Sequence, residues 1–177
     1  MEDSSPQQKL ARMRTVVDGY NLLFVFGAMG KIKSGADLER ARHRLLDLML
    51  SYLDPESAAR TTVVFDAPKK HGHEVVSESY HGVIRVLMAN QYAEADDLIE
   101  ELIQRHPQPR RLTVVSGDQR LRRAARRRRA EDVDSEKWWT QLESRVRTDG
   151  HAVRRKWEEC QATVIKHREV VANPRGH

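Results

Sequence analysis

From Thr15 onward the chain repeats one pattern, a short β-branched apolar run that closes on an acid, followed by a longer stretch with apolar residues three and four apart. TVVD, bounded by Gly19 at a turn, predicts a buried strand ending in Asp18. Leu38, Ala41, Leu45, Leu48, Met49 and Tyr52 then recur at helical spacing behind Ser34, with Asp37 at capping-box distance. They predict a helix of about four turns that closes near Asp54-Pro55. TTVVFDA from Thr61 predicts a second strand ending in Asp66, and GVIRVLMA from Gly82 a third. AEADDLIEELI from Ala93 predicts a helix with Leu98, Ile99, Leu102 and Ile103 inward, stopped by Pro107 and Pro109. LTVVSGD from Leu112 predicts a fourth strand leading to Asp118, and the arginine-rich segment after it a helix with Leu121, Ala124 and Ala125 as its inward stripe. EDVDS reads as a fifth short strand or as a loop into a helix led by Ser135 and carrying Trp138, Trp139, Leu142 and Val146.

Strands alternating with helices predict crossover connections and a mostly parallel central sheet with helices on both faces, a three-layer α/β/α sandwich. The polar residues 1–12 offer nothing to bury and read as a disordered N-terminal arm. Residues 13–148 read as the domain, and 149–177 as a helical or disordered C-terminal extension. With 177 residues, 39% hydrophobic, the chain has enough apolar material for one core. No apolar stretch is long enough to span a bilayer or serve as a secretory signal, so a cytoplasmic protein without a membrane partner is expected. The lone Cys160 and the absence of a Cys/His cluster with zinc-ligand spacing exclude a disulfide framework and argue against structural zinc.

Charge sharpens the picture because it is local. The net +5 contains seven arginines between Arg120 and Arg129 with no acid among them, so the remainder of the chain is mildly acidic. A concentrated basic block suits a polyanion, although a solvated helix face has the same composition. Ligand sites in parallel sheets lie beyond the carboxyl ends of the strands. Asp18 and Asp66 close two predicted strands, Asp118 follows a third, and Asp96 opens the helix after another, with Glu100 one turn on. One such acid alone is more often a turn former or helix cap. Together they describe an acidic pocket of hard oxygen ligands without cysteine, which favours Mg²⁺ or Mn²⁺ and metal-activated hydrolysis of a phosphodiester. Asn21 could stabilise the turn after Gly19 or orient a group beside Asp18.

TVVDGYNLL, VVFDA, AEADDLIE and VVSGDQRLRRAARRRRA, in this order, resemble the YacP-like branch of the NYN domains, within the PIN-like ribonuclease superfamily. The resemblance covers about residues 14 to 145, leaving the polar arm and the tail without a counterpart. It implies a small α/β sandwich with an acidic, divalent-metal-dependent site for RNA cleavage, in a branch that includes a ribosome-associated mRNA endonuclease. The family's acids fall on Asp18, Asp66, Asp96 and Asp118, and its accompanying asparagine on Asn21.

The expectation is therefore a metal-dependent endoribonuclease acting on single-stranded RNA, with the ribosome a candidate partner. Asp18, Asp66, Asp96, Asp118 and Asn21 are its candidate catalytic residues, and the four acids with Glu100 its candidate metal ligands. Lys69, Lys70, Arg120, Arg122, Arg123, Arg126 and Tyr20 are the candidate RNA contacts, with Tyr20 placed either to stack on a base or to pack in the core. His71, His73 and His81 are weaker candidates for protonating a leaving group. The alternative is a non-catalytic RNA- or ribosome-binding module that uses the arginine-rich helix. An acidic ligand edge argues against it, since such a module gains nothing from negative charge facing RNA. A receiver-like or phosphatase domain fits less well, because paired acids beside the first strand and a late strand-end lysine are missing.

Overall fold

The β-branched runs form the middle of the molecule. The computed structural model describes residues 5–27, 32–67, 77–90 and 92–145. In chain order the elements are α1 (Pro6–Arg12), β1 (Thr15–Asp18), α2 (Gly19–Val25), α3 (Gly35–Tyr52), α4 (Pro55–Ala59), β2 (Thr61–Asp66), β3 (Ser77–His81) and β4 (Ile84–Ala89). They continue with α5 (Ala95–Arg105), a 3₁₀ turn (Pro109–Arg111), β5 (Thr113–Val115), α6 (Gln119–Arg127), β6 (Glu131–Val133) and a helix α7 over 135–145. The sheet order is β3-β4-β2-β1-β5-β6. All neighbouring pairs are parallel except β3 and β4, which form an antiparallel hairpin at one edge.

Successive side chains of a strand point to opposite faces, so each central strand feeds two cores. Val17, Val63, Phe65 and Val115 pack beneath Leu22 and Leu23 of α2, Leu45 and Met49 of α3, and Trp138, Trp139 and Leu142 of α7. Val16, Val64, Leu87 and Val114 pack on the other face with Leu98, Ile99 and Ile103 of α5 and Leu121, Ala124 and Ala125 of α6. This is the expected α/β/α sandwich. Among the described residues, no helix is long and apolar enough to cross a membrane.

Four local features differ from the sequence expectation. Residues 6–12, read as part of a disordered arm, form α1, because Ser5 and Gln8 make a reciprocal capping box, Pro6 begins the helix and Leu10 reaches the second core. The segment after β1 is a helix at once: the Asp18 carboxylate caps α2 by accepting Asn21 N–H. The short α4 starts at Pro55 under an Asp54 cap. Finally, the polar segment SESYH is β3, which lies at the sheet edge and leaves its side chains largely exposed, so the apolar signal of a buried strand is missing. Gly82 is therefore the hairpin turn, at φ +60°, and not the start of the third predicted strand. EDVDS resolves into β6 followed by α7.

Candidate active site

The register of the three central strands decides where the acids fall. Asp18 sits opposite Val64 in β2, two residues short of Asp66, and Val17 sits opposite Val115 in β5, which sets Ser116 beside Asp18. Asp18, Asp66 and Asp118 thus line the carboxyl edge of adjacent strands, and α5 brings Asp96 to them from the end of β4.

Three of the four acids accept backbone donors. Asp18, 7% exposed, uses Oδ1 to accept Asn21 N–H at 3.0 Å and Oδ2 to accept the Ser116 hydroxyl at 2.9 Å. Ser116 Oγ in turn accepts Asp118 N–H at 3.0 Å, so one hydroxyl couples the acids of β1 and β5. Asp118 caps α6, accepting Arg120 and Leu121 N–H groups. Asp66 Oδ1 accepts Ala95 N–H and so ties the end of β2 to the start of α5. Asn21 Oδ1 accepts Gly117 N–H at 2.8 Å and clips the β5–α6 turn onto α2. A Cβ at Gly117 would stand 2.9 Å from that Asn21 oxygen, and a Cβ at Gly19 would stand 2.3 Å from the Phe65 ring, so both turns are drawn tight by glycine.

The electrostatics are unbalanced. Among the described residues no lysine, arginine or histidine forms an ion pair with Asp18, Asp66, Asp96 or Asp118. Burial raises the Asp18 carboxyl above its usual range against the Asn21 and Ser116 hydrogen bonds, and the charges of Asp66 and Asp118 raise it further. Asp96 rises to about 6 through burial and the charges of Asp18, Asp118 and Glu94, with Arg120 opposing.

The donor chemistry suits a hard divalent cation, since all four side chains are carboxylates with charge left unpaired. The arrangement is open, however: among the described residues no three acidic, histidine or cysteine side chains are grouped closely enough to hold an ion. The backbone contacts that anchor Asp18, Asp66 and Asp118, together with the mutual repulsion of like charges, favour carboxylates spread along the edge.

The basic candidates are placed differently from the simple picture of a cationic rim. Arg120 donates to Asp97 at 2.6 Å and to Glu100 at 2.7 Å, so Glu100 faces an arginine on α6. Arg122 and Arg126 both donate to Asp132 at 3.0 Å. Arg123 is exposed, its Nε donating to Gln119 O. Lys69, Lys70, His71 and His73 lie outside the described residues. His81 meets Asp47 at 2.7 Å and the His43 ring at 5.5 Å, in a pairing on α3 and β3 that does not include the four acids. Tyr20 is half-buried, its ring edge-on to Phe65 at 5.8 Å and its hydroxyl accepting from Arg42. Trp138 and Trp139 are core residues, as their spacing suggests.

Two site residues stand outside the candidate set. Ser116 bridges two acids, and its only sequence signal is a hydroxyl between a strand and a turn. Arg42 is buried on α3, where it donates to the Asp66 carbonyl at 3.0 Å and lies over the Tyr20 and Phe65 rings at 5.4 and 5.2 Å. A charge inside the apolar stripe between Leu38 and Leu45 was its visible mark.

The sequence model of the YacP-like NYN domain matches residues 15–170. The match runs past the boundary expected at 148. The solved structure of Rae1 (YacP) from Bacillus subtilis is similar with a TM-score of 0.58 and 25% identity, over 89% of this chain and 89% of that one. The structure of a single-residue variant of the same protein gives 0.57 and 26%, over 82% and 84%. No curated protein matches the chain.

Proposed function

The chain belongs to the YacP-like NYN domain family, a nuclease-type, RNA-directed class, and from that premise we propose that it is a divalent-metal-dependent endoribonuclease that cuts single-stranded RNA at the carboxyl edge of the sheet. The observation that carries the proposal is the imbalance there. Asp97, Glu100 and Asp132 nearby are all paired with arginine, while Asp18, Asp66, Asp96 and Asp118 have no cationic partner among the described residues. A fold that concentrates such charge is poised for a cation.

Asp18, Asp66, Asp96 and Asp118 would hold Mg²⁺ or Mn²⁺, which when bound activates water and stabilises charge on the phosphodiester oxygens. Asn21 and Ser116 act as positioning residues, because each holds an acid or its turn through a hydrogen bond. Glu100 belongs to the support of Arg120 rather than to the ligand set. Burial and the charges of Asp18, Asp118 and Glu94 hold the Asp96 carboxyl up at about 6, which a neighbouring cation would oppose. Lys69 and Lys70, which follow Asp66 in the sequence by three and four residues, remain candidate phosphate contacts. Arg123 offers an exposed cation on α6 for the same strand.

The test is cleavage of a labelled single-stranded RNA with Mg²⁺, with Mn²⁺ and with EDTA, with Asp118→Asn in parallel. Metal-dependent cutting that falls about 10³-fold in the variant, with RNA binding retained, supports the proposal. RNA binding without cutting on free RNA and on translating ribosomes alike overturns it in favour of a binding module.

A further inference from the structure

At the opposite end of the sheet, where β5 and β6 begin, the charge has the other sign. Pro107, Gln108, Pro109, Arg110, Arg111, Arg128 and Arg129 line an open cleft of about 470 Å³. Arg110 and Arg111 are exposed on the 3₁₀ turn, and prolines 107 and 109 fix the backbone on their N-terminal side. Arg128 is the C-cap of α6 and Arg129 follows it. Within the helix Arg120, Arg122 and Arg126 are neutralised by acids, whereas the four cleft arginines, like Arg123 and Arg127, form no ion pair among the described residues. The polar partners they do have are neutral: Arg111 donates to Gln108 Oε1 at 3.4 Å and Arg128 to the His106 carbonyl at 3.2 Å. His106 adds no charge. It is fully buried, hydrogen-bonded to Met13 O and Gln108 N–H, and burial with the charges of Arg14 and Arg128 lowers its pKa.

One backbone detail singles out Arg129. It occupies the left-handed region at φ +60°, in the turn where Ala130 N–H returns to Ala125 O. Glycine is the usual residue at such a helix end, and a long side chain there costs roughly 1 kcal/mol.

We propose that this cleft binds the phosphate backbone of double-helical RNA, as an anchoring site separate from the acidic edge; the assignment rests on the RNA-directed reading above. The unpaired arginines supply the phosphate contacts. The described residues that line the cleft are prolines, a glutamine and arginines, with no aromatic ring on which an unpaired base could stack, and recognition through the backbone is the mode of duplex RNA. Asp118 and Arg128 cap opposite ends of α6, about 15 Å apart at helical rise, so anchoring leaves the acidic edge free for a separate single strand.

The experiment compares the full chain with a triple variant, Arg110→Gln, Arg111→Gln and Arg129→Gln. Arg128 is kept because it holds the His106 carbonyl. Affinity for a labelled RNA duplex of about 20 base pairs is measured across a salt series, together with cleavage of a short single-stranded RNA. The expected result is a duplex affinity about 10- to 100-fold weaker, a log–log salt slope shallower by about 2 to 3, and unchanged cleavage. Unchanged duplex affinity and slope, no duplex binding by the parent protein, or equal affinity for a DNA duplex of the same length would each overturn the inference. Binding is read without cleavage, so a chain that never cuts RNA but loses duplex affinity in the variant refutes the nuclease reading and leaves the anchor standing.

Discussion

The acidic edge and the cleft at the far end of the sheet hold the same residue type in opposite electrostatic states. On α6, Arg120, Arg122 and Arg126 are absorbed by Asp97, Glu100 and Asp132, while four carboxylates at the edge have no cationic partner among the described residues. In the cleft, Arg128 and Arg129 join Arg110 and Arg111, and none of the four forms an ion pair among the described residues. The block that reads as one basic feature in the sequence is divided by the fold into arginines neutralised by acids and arginines left without one. Net charge along a segment therefore measures supply, and three-dimensional pairing decides where charge remains available.

The contrast can be broken from the acidic side first. Asn21→Ala removes the clip on Gly117 while leaving all four acids, and the loosened β5–α6 turn is expected to lower cleavage about 10²-fold with duplex-RNA affinity unchanged. Equal loss of cleavage and duplex binding would mean that the two edges are not independent. Gly19→Ala drives a methyl into the Phe65 ring and should destabilise the fold by about 1 to 3 kcal/mol, visible as a lower denaturation midpoint at unchanged m-value.

The sign of the acidic charge is tested by pH. Asp96 has a folded pKa near 6, above its ordinary value of 3.8, so the native state binds its proton more tightly than the unfolded chain. Without divalent cation, stability should fall as pH rises from about 4 through 6, and then level off. Asp96→Asn reduces that slope, leaving the part due to the raised carboxyl of Asp18, and stabilises the metal-free protein above pH 6 by about 1 kcal/mol, a figure reduced for the residue's partial exposure. Mg²⁺ should raise the melting temperature of the parent more than that of the variant. The smallest effect is expected on the basic side: Arg129→Gly relieves the left-handed backbone and should stabilise by no more than about 1 kcal/mol, leaving cleavage as it was.

The sandwich and its acidic edge were legible because β-branched runs ending in Asp18 and Asp66 combine two local signals, burial and strand termination. What escaped was governed by tertiary context. β3 is polar because an edge strand has no buried face to advertise, and α1 depends on a cap plus one leucine reaching a distant core. Arg42 and Ser116 matter through partners 24 and 98 residues away, which no local pattern encodes. The ion pairs of α6 were equally invisible, since Asp97 and Glu100 are brought to Arg120 by packing of α5 on α6.

The central place of β1 carries a consequence for how the protein is made. This strand is translated before both of its neighbours, β2 and β5, and Thr15 pairs with both Thr61 and Thr113. Closing the second contact requires about a hundred intervening residues, so the middle of the sheet is a slow, late event in folding. A nascent chain halted before β5 would hold Asp18 on a strand with one open side and would lack Asp118 and the Ser116 bridge. Such a product exposes an unpaired strand edge. A chain of this topology gains its complete acidic edge only after the segment through Asp118 has emerged and docked, so the carboxylates of the edge are assembled last.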